Sequence, residues 1–289
     1  EYVYQDLVKQ IREQITPKML EDICELCLVN SAKMPAEEDM PFGPGTAECL
    51  DMALDMAEGY GFETCDYDGY VGCVDMNELP HQLDILAHLD VVPAGEGWTV
   101  TEPFKPVLKD GKLYGRGTAD DKGPAVAALY AMRAVKELGI PLKKNVRLIL
   151  GTDEECGSSD IRHYYSIEKE APMTFSPDAE YPLVNTEKGR FPGHFTAGFE
   201  ASEALPRLVS IKAGTKVNVV PGKAKAAVEG FEMAALEKAA AETKEETGIS
   251  FEFAAEGTVT EITATGIGAH ASTPDVGNNA LTGLLVFLG

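Results

Sequence analysis

Six residues of this chain carry imidazole or carboxylate side chains at positions suited to binding a cation. They are His88, Asp90, Asp120, Glu154, Glu155 and Asp178. Each lies where a predicted strand ends or a predicted helix begins, which is the edge at which an open α/β sheet binds its ligands. One imidazole among several carboxylates forms a hard-to-borderline ligand set, and zinc is its commonest occupant. The sequence therefore predicts a metal site, with zinc as the expected ion.

His88 and Asp90 stand two positions apart in Ala-His-Leu-Asp. Because such positions on a strand point to the same side, Asp90 is predicted to reach the imidazole of His88. There it would fix the tautomer of the ring and raise its basicity, as a metal-binding histidine requires. The alternative interpretation is a strand-end histidine beside a surface aspartate, and the pair taken alone favours that alternative.

Asp120 stands in the glycine-rich segment from Gly115 to Gly123, which reads Gly-Arg-Gly-Thr-Ala-Asp-Asp-Lys-Gly. Glycines allow a tight turn before a helix, and the dipole at a helix N-terminus favours a carboxylate. A simple N-cap role is the alternative for this aspartate. The segment is not a phosphate-binding loop, because it lacks Gly-Lys-Ser or Gly-Lys-Thr.

Glu154 and Glu155 directly follow a strand that is predicted to be buried. Two adjacent carboxylates at one strand end repel each other. The repulsion is tolerable beside a cation, or when one of the two holds a proton in general base catalysis. A solvated acidic loop is the alternative in so acidic a chain.

Composition narrows the class of protein. The 289 residues include 25 basic and 47 acidic ones, a formal net charge of −22. This balance argues against nucleic acid or an anionic membrane as partner, because both require clustered Lys and Arg. No apolar run reaches the roughly 18 residues of a membrane span. Six cysteines without framework spacing indicate free thiols in a reducing, cytoplasmic compartment, and Cys24 and Cys27 are interpreted as core packing on a helix.

Apolar periodicity predicts alternating helices and strands in the first part of the chain. The helices are expected at Val3–Ile15, from Thr16-Pro17 onward, at about Ala47–Ala57 and at Lys122–Leu138, and the strands at Tyr70–Asp75, Leu83–Leu89, Val146–Gly151 and Met173–Ser176. Nearly uniform apolar strands are typical of a sheet buried on both faces. The fold class is therefore predicted to be α/β, with a mostly parallel mixed sheet flanked by helices.

The pattern changes after Gly189, where strand-like stretches surround one long helix. The strands are expected near Phe191–Phe199, Ala224–Gly230 and Thr258–Gly266, and the helix at about Glu232–Glu246. This predicts a small α+β domain, with a boundary near Lys188 and domains of residues 1–188 and 189–289. The apolar run at 281–288 predicts a helix whose surface a partner or further chain must cover.

Taken together and in this order, the motifs resemble those of the M20 family of metallopeptidases, most closely its cytosolic PepV-like dipeptidases. Between residues 85 and 189 the matching motifs are His-x-Asp, Gly-Arg-Gly-x-x-Asp-x-Lys-Gly, Asp-Glu-Glu, and Ser-Pro-Asp-Ala followed by Glu-Lys-Gly. Val-Asn-Val-Val-Pro at 217–221 and Gly-Ala-His-Ala-Ser at 268–272 extend the resemblance into the second domain. It therefore covers nearly the whole chain.

The resemblance implies a dinuclear zinc dipeptidase of broad or β-Ala-Xaa type. In such an enzyme a zinc-peptidase-like catalytic domain carries an inserted α+β lid domain, and the substrate is a dipeptide. Two Zn²⁺ ions are implied, with Co²⁺ or Mn²⁺ as alternatives. By the same resemblance, Asp120 bridges the two ions, His88 and Asp178 complete one position, and Glu155 helps to hold the other.

The resemblance also implies catalytic roles. Glu154 is the general base that takes a proton from the attacking water, and Asp90 orients His88. His270, in the lid, stabilises the oxyanion on the scissile carbonyl, and Asn218 contacts the substrate. These roles agree with the chemistry of zinc, which lowers the pKa of bound water to about 7 and, as a pair, stabilises both attack and departure.

One departure from the family pattern concerns the end of the chain. The family's last metal-binding histidine and its arginine for the substrate carboxylate would lie beyond Gly289, and no histidine follows His270. The chain is therefore interpreted as the front part of a longer enzyme, with little activity alone and about one tightly bound metal ion. The alternatives are a deacylase of N-acyl amino acids with the same metal core, and a non-catalytic metal-binding or assembly fragment.

Overall fold

A computed structural model of the protein describes residues 16–95, 98–181, 184–186, 188–189, 191–200 and 202–289. The chain divides into two compact units, Glu1–Val184 and Asn185–Gly289. The predicted helix at Val3–Ile15 lies outside the described residues. Within them, no helix is both long and apolar enough to cross a membrane.

The first unit contains a five-stranded mixed sheet. Its strands are β1 (Glu63–Tyr67), β2 (Val71–Asp75), β3 (His81–His88), β6 (Asn145–Gly151) and β7 (Met173–Phe175), and a separate hairpin consists of β4 (Val107–Lys109) and β5 (Lys112–Tyr114). The order across the sheet is β1-β2-β6-β3-β7. β3 is parallel to both β6 and β7, whereas β2 is antiparallel to β1 and β6. The parallel part of the sheet therefore consists of the three strands β6, β3 and β7.

Helices cover both faces of this sheet. They are α1 (16–28), α2 (Pro44–Gly59), α3 (Lys122–Glu137) and α4 (Ser159–Ile167). Successive side chains of a strand point to opposite faces. In β6, Leu148 and Leu150 accordingly join the core beneath α1, α2 and α3, while Ile149 joins the cluster beneath Tyr164 of α4. The α/β class with helices flanking a central sheet is confirmed.

The second unit has a four-stranded antiparallel sheet with two helices. Its strands are β8 (Arg207–Ala213), β10 (Lys223–Glu229), β11 (Ser250–Glu256) and β12 (Val259–Thr265), its helices are α5 (Met233–Thr247) and α6 (Ala280–Leu288), and the short strands β9 (Val219–Val220) and β13 (Ala269–His270) pair separately. The order is β11-β12-β10-β8. Leu236 of α5 and Leu284 of α6 pack against Ile262 of β12, which is fully buried.

Helix α6 packs on the sheet of its own unit. Leu284 is fully buried, and the ring of Phe287 stacks on that of Phe251 with centroids 4.8 Å apart. Leu285 and Val286 remain exposed on the other side. The prediction that a partner or further chain must cover this helix is therefore wrong for its Leu284 face, because the sheet already buries it.

The predicted strand at Phe191–Phe199 is also wrong, since the described residues 191–200 have no regular secondary structure. The three phenylalanines are 98%, 93% and 91% exposed. They recur every fourth residue, whereas a strand buried on one face requires a period of two, and Pro192 cannot donate to a strand pairing. Strands β8 and β11, which were not predicted, complete the sheet instead.

The glycine-rich segment contains a buried lysine that holds α1. Lys122 is fully buried, and its Nζ donates to the carbonyls of Leu26 at 2.8 Å and Val29 at 2.9 Å. These carbonyls lie at the C-terminal end of α1, where helical partners are lacking and the dipole favours a cation. Gly117 makes room, because a Cβ there would lie 2.9 Å from Cδ of Lys122. Lys122 thus ties α1 to the start of α3, beside Asp120.

Lys122→Met keeps the volume of the side chain and removes its ammonium group, which leaves two buried carbonyls without a donor. We expect the free energy of unfolding to fall by about 1–3 kcal/mol for each carbonyl, measured by urea denaturation. The exposed Lys143→Met is the matched control and should change it by less than about 0.5 kcal/mol. Equal stability of Lys122→Met and the native chain would show that the ammonium does not hold α1.

Candidate metal centre

Three carboxylates surround the imidazole of His88. Its Nε2 lies 3.2 Å from Asp120 Oδ1, 3.5 Å from Asp178 Oδ2 and 3.9 Å from Glu154 Oε2. His88 is 3% exposed, and this nitrogen makes no hydrogen bond. One atom each of His88, Asp120 and Asp178 lies within 4.8 Å of the other two, and no other group of this kind occurs among the described residues. We call these four residues the His88 cluster.

Parallel strands bring the His88 cluster to one edge of the sheet. His88 is the last residue of β3, and Asp178 follows β7. Glu154 opens a short 3-10 turn after β6, Glu154–Cys156, which we call the acidic turn. Asp120 lies just before α3. The carboxyl ends of neighbouring parallel strands meet at the same edge, and ligands bind there. The strand ends and the start of α3 therefore gather residues that lie far apart in the sequence.

The surroundings of Nδ1 determine the tautomer of His88. Nδ1 lies 3.0 Å from the main-chain oxygen of Asp90 and 3.3 Å from Oδ1 of its carboxylate. A carbonyl and an ionised carboxylate can only accept, so Nδ1 carries the proton. Nε2 of the neutral ring then presents a lone pair to the carboxylates, as a metal ligand must. The hydrogen bond itself goes to the main-chain oxygen, with the carboxylate slightly farther away.

The carboxylate of Asp90 also positions the acidic turn. It is buried, and its two oxygens accept from the N–H groups of Glu154 and Glu155, each at 3.1 Å. These N–H groups open the turn and lack partners within it. One side chain therefore fixes the turn and lies against His88 at the same time. The sequence predicted only the contact with His88, because the turn is 64 residues away.

Two further buried carboxylates hold the residues just before and after the acidic turn. Asp160 accepts from the N–H groups of Thr152 at 2.6 Å and Asp153 at 3.0 Å. Asp153 accepts in turn from Nζ of Lys33 at 2.6 Å. The sequence did not predict these roles of Lys33, Asp153 and Asp160. Asp160, in the first turn of α4, gave the one local signal, since an acidic residue there commonly binds backbone N–H groups.

Burial and neighbouring charges shift the pKa of the groups at this edge. Burial, reinforced by the carboxylate of Asp120, raises the pKa of Glu155 to about 7. Burial likewise raises the pKa of Glu154, against the opposing effect of His88. Burial alone would lower the pKa of His88, but the surrounding carboxylates, Asp120 first, raise it overall. Without a bound cation the ring of His88 is therefore held in its doubly protonated form, and a metal ion would displace the proton on Nε2.

A divalent metal ion fits this donor set. His88 offers a buried nitrogen without a partner, and Asp120 and Asp178 offer carboxylate oxygens close to it. Zinc accepts both ligand types, and three protein ligands with one open position are typical of a catalytic zinc site. Glu155 stands outside this group of three donors, and burial together with the charge of Asp120 raises its pKa.

Asn218 and His270 belong to the second unit, where the short strands β9 and β13 bring them together. His270 pairs with Val219 across the two strands, and the N–H of Ala271 donates to the main-chain oxygen of Asn218 at 2.8 Å. His270 is exposed, and its Nδ1 lies 2.6 Å from Oγ of Ser272. These two predicted residues therefore share one small, exposed part of the second unit.

Trp98 lines an open cavity of about 350 Å³ together with Tyr114 and Arg116. Its Nε1 donates to the carbonyl of Ala94 at 2.8 Å, and the guanidinium of Arg116 lies 5.4 Å from the centre of its ring. That distance is typical of a cation–π contact. The single tryptophan of the chain therefore lines an opening rather than packing in the core.

Comparison with known proteins agrees with this geometry. Residues 85–276 match the family described as peptidase family M20/M25/M40, and the chain belongs to this family. The Beta-Ala-Xaa dipeptidase of Lactobacillus delbrueckii subsp. lactis is 36% identical over 283 residues, which are 97% of this chain and 60% of that protein. The chain therefore spans about three fifths of the length of this relative.

Two solved structures are similar at lower identity. Human carnosine dipeptidase 1 is 24% identical, with a TM-score of 0.48 over 55% of this chain and 37% of that one. The YXEP protein of Bacillus subtilis, described as a dinuclear metal binding peptidase from the M20 family, is 13% identical, with a TM-score of 0.41 over 88% of this chain and 64% of that one.

Asp90→Asn replaces one of two acceptors by an NH₂ group, which then faces a backbone N–H of the acidic turn. We expect the affinity for Zn²⁺ to fall about 10–100-fold, the usual cost of losing a partner that orients metal ligands. Calorimetric titration with a competing chelator measures this. Asp51→Asn, on the exposed side of α2, is the control and should leave the affinity unchanged. If Asp90→Asn changed the affinity for Zn²⁺ as little as Asp51→Asn, the turn would need no support from the carboxylate of Asp90.

Proposed function

We propose that the protein hydrolyses the peptide bond of dipeptides, of broad or β-Ala-Xaa type, with zinc as its metal. The observation that carries the proposal is the buried imidazole of His88 among three carboxylates at the ends of parallel strands. Membership of a peptidase family supports hydrolysis, and the name of the Lactobacillus relative supports a dipeptide substrate. In this proposal residues 1–188 form the metal-binding catalytic domain, and residues 189–289 belong to a lid domain.

Four residues would hold two ions. His88, Asp120 and Asp178 provide one position with three ligands, and Asp120 with Glu155 provides a second. Asp120 suits the shared role because a carboxylate has two oxygens, of which Oδ1 lies 3.2 Å from Nε2 of His88, and because its charge also acts on Glu155. Bound zinc polarises a carbonyl and makes water acidic near neutral pH.

Glu154 is the proposed general base. Its carboxylate lies 3.9 Å from Nε2 of His88 and is half exposed, so it reaches the His88 cluster yet remains open to water and substrate. It stands outside the group of three closest donors. In the proposed reaction it takes a proton from the attacking water as the new C–O bond forms. It then gives that proton to the leaving amine as the C–N bond breaks.

Two residues of the second unit complete the proposal. His270 donates a hydrogen bond to the oxygen that becomes negatively charged on the scissile carbonyl, and Asn218 contacts the substrate. The exposure of the His270 side chain supports a role in binding, because it has no part in the core of its unit.

Assays with the protein at its natural length separate this proposal from its alternatives. We expect hydrolysis of Ala-Ala and of β-Ala-His, loss of both activities after chelation, and recovery with Zn²⁺ or, as alternatives, Co²⁺ or Mn²⁺. Hydrolysis confined to N-acetyl amino acids would identify a deacylase with the same metal core. Metal binding without hydrolysis of either class of substrate would identify a non-catalytic metal-binding or assembly protein.

Adjacent glutamates allow a matched test of the two carboxylate roles. Glu154→Gln should keep the metal content and lower kcat by at least about 10²–10⁴-fold, because the base is lost and the ligands remain. Glu155→Gln should instead lower the metal content. Elemental analysis and Ala-Ala hydrolysis measure the two effects. Near-normal rates in Glu154→Gln would contradict its role as base, and loss of metal from it would make Glu154 a ligand.

A further inference from the structure

The imidazole of His270 is held through Nδ1 by a single neighbouring residue. The N–H of Ser272 donates to Nδ1 at 3.2 Å, and the hydroxyl Oγ of Ser272 lies 2.6 Å from the same nitrogen. Both contacts come from the residue two positions further along the chain.

These contacts restrict where the ring carries its proton. A backbone N–H can only donate, so Nδ1 must present its lone pair to it, whereas the hydroxyl can donate or accept and adapts to either state. A neutral imidazole has one protonated and one unprotonated nitrogen. We infer that Ser272 is a positioning residue that holds neutral His270 in its Nε2–H tautomer, so that the free nitrogen is a hydrogen-bond donor.

The backbone around Ser272 is fixed on both sides. The N–H of Ala271 donates to the oxygen of Asn218 at 2.8 Å, and the N–H of Thr273 donates to the oxygen of His270 at 3.0 Å. Nζ of Lys188 donates to the oxygen of Ser272. The peptide N–H that meets Nδ1 is thus part of a hydrogen-bonded turn, and its direction does not depend on the hydroxyl.

The consequence for catalysis rests on the proposed function. An oxyanion accepts hydrogen bonds, so a group that stabilises it must present a proton. A histidine with Nδ1–H and a lone pair on Nε2 would repel the oxyanion. Because Nδ1 is already occupied by an N–H donor, the free side of His270 presents the required proton without metal or substrate being bound.

Nuclear magnetic resonance of the whole chain, labelled with ¹⁵N at histidine, tests the inference directly. Two-bond and three-bond ¹H–¹⁵N correlations distinguish the two tautomers of a neutral imidazole, so the spectra are recorded at alkaline pH. The chain has five histidines, and His270→Gln assigns the signal by removing it. We expect Nε2–H to exceed Nδ1–H by about tenfold, the shift in equilibrium that one hydrogen bond supplies.

Two variants separate the N–H from the hydroxyl. Ser272→Ala keeps the N–H and should keep the Nε2–H tautomer, whereas Ser272→Pro removes the N–H and should let the two tautomers mix. If Ser272→Pro does not fold, the native chain and Ser272→Ala still decide the question. A native Nδ1–H tautomer, an even mixture, or a switch of tautomer in Ser272→Ala would overturn the inference.

The measurement needs neither turnover nor metal, so its outcome is independent of the proposed function. If hydrolysis were absent while the spectra showed the expected tautomer, the inference would stand and the oxyanion role would fall. If hydrolysis and its loss in His270→Ala were observed with the other tautomer, the inference would fall and the proposed function would stand.

Discussion

Crowding of negative charge around one buried imidazole is the constraint on which the rest of the first unit depends. Asp120, Asp178 and Glu154 approach the same nitrogen of His88 within 3.9 Å. Like charges this close repel strongly where water is partly excluded. Burial and Asp120 together raise the pKa of Glu155 to about 7, which shows that one more negative charge is costly there. A fold accepts such an arrangement when a cation occupies it.

The fold separates two kinds of carboxylate to keep this edge in place. Asp90, Asp153 and Asp160 are buried, and each accepts hydrogen bonds from backbone N–H groups, a lysine, or both. Their negative charge stabilises the position of the backbone around the site. Asp120 and Glu154 are more than half exposed, and none of the hydrogen bonds described reaches their side-chain oxygens. Hydrogen bonding therefore distinguishes the carboxylates that shape the site from those that remain available to a ligand.

The sequence predicted where the site lies better than it predicted the hydrogen bonds that hold the surrounding elements in place. Polar residues at the ends of strands and before a helix are a local signal, and parallel strands bring such ends to one edge of the sheet, so His88, Asp120 and Asp178 could be predicted to lie close together. Lys122 holds α1 through carbonyls that lie 93 and 96 residues away in the sequence. No local sequence pattern predicts a contact over such a separation. The strand predicted near 191–199 failed for the opposite reason. Its apolar residues were visible, but they recur every fourth residue and pair with no strand in the described part of the chain.

Two histidines with the same local spacing end up with opposite chemistry. In each, Nδ1 meets a main-chain atom two residues along the chain, the carbonyl oxygen of Asp90 for His88 and the N–H of Ser272 for His270. The carbonyl oxygen accepts a hydrogen bond from Nδ1, so Nε2 of the neutral His88 ring has a lone pair suited to a metal. The N–H donates, so Nε2 of His270 bears a proton suited to an anion. The residue type is the same in both places, and the peptide group that faces the ring determines whether it acts as ligand or donor.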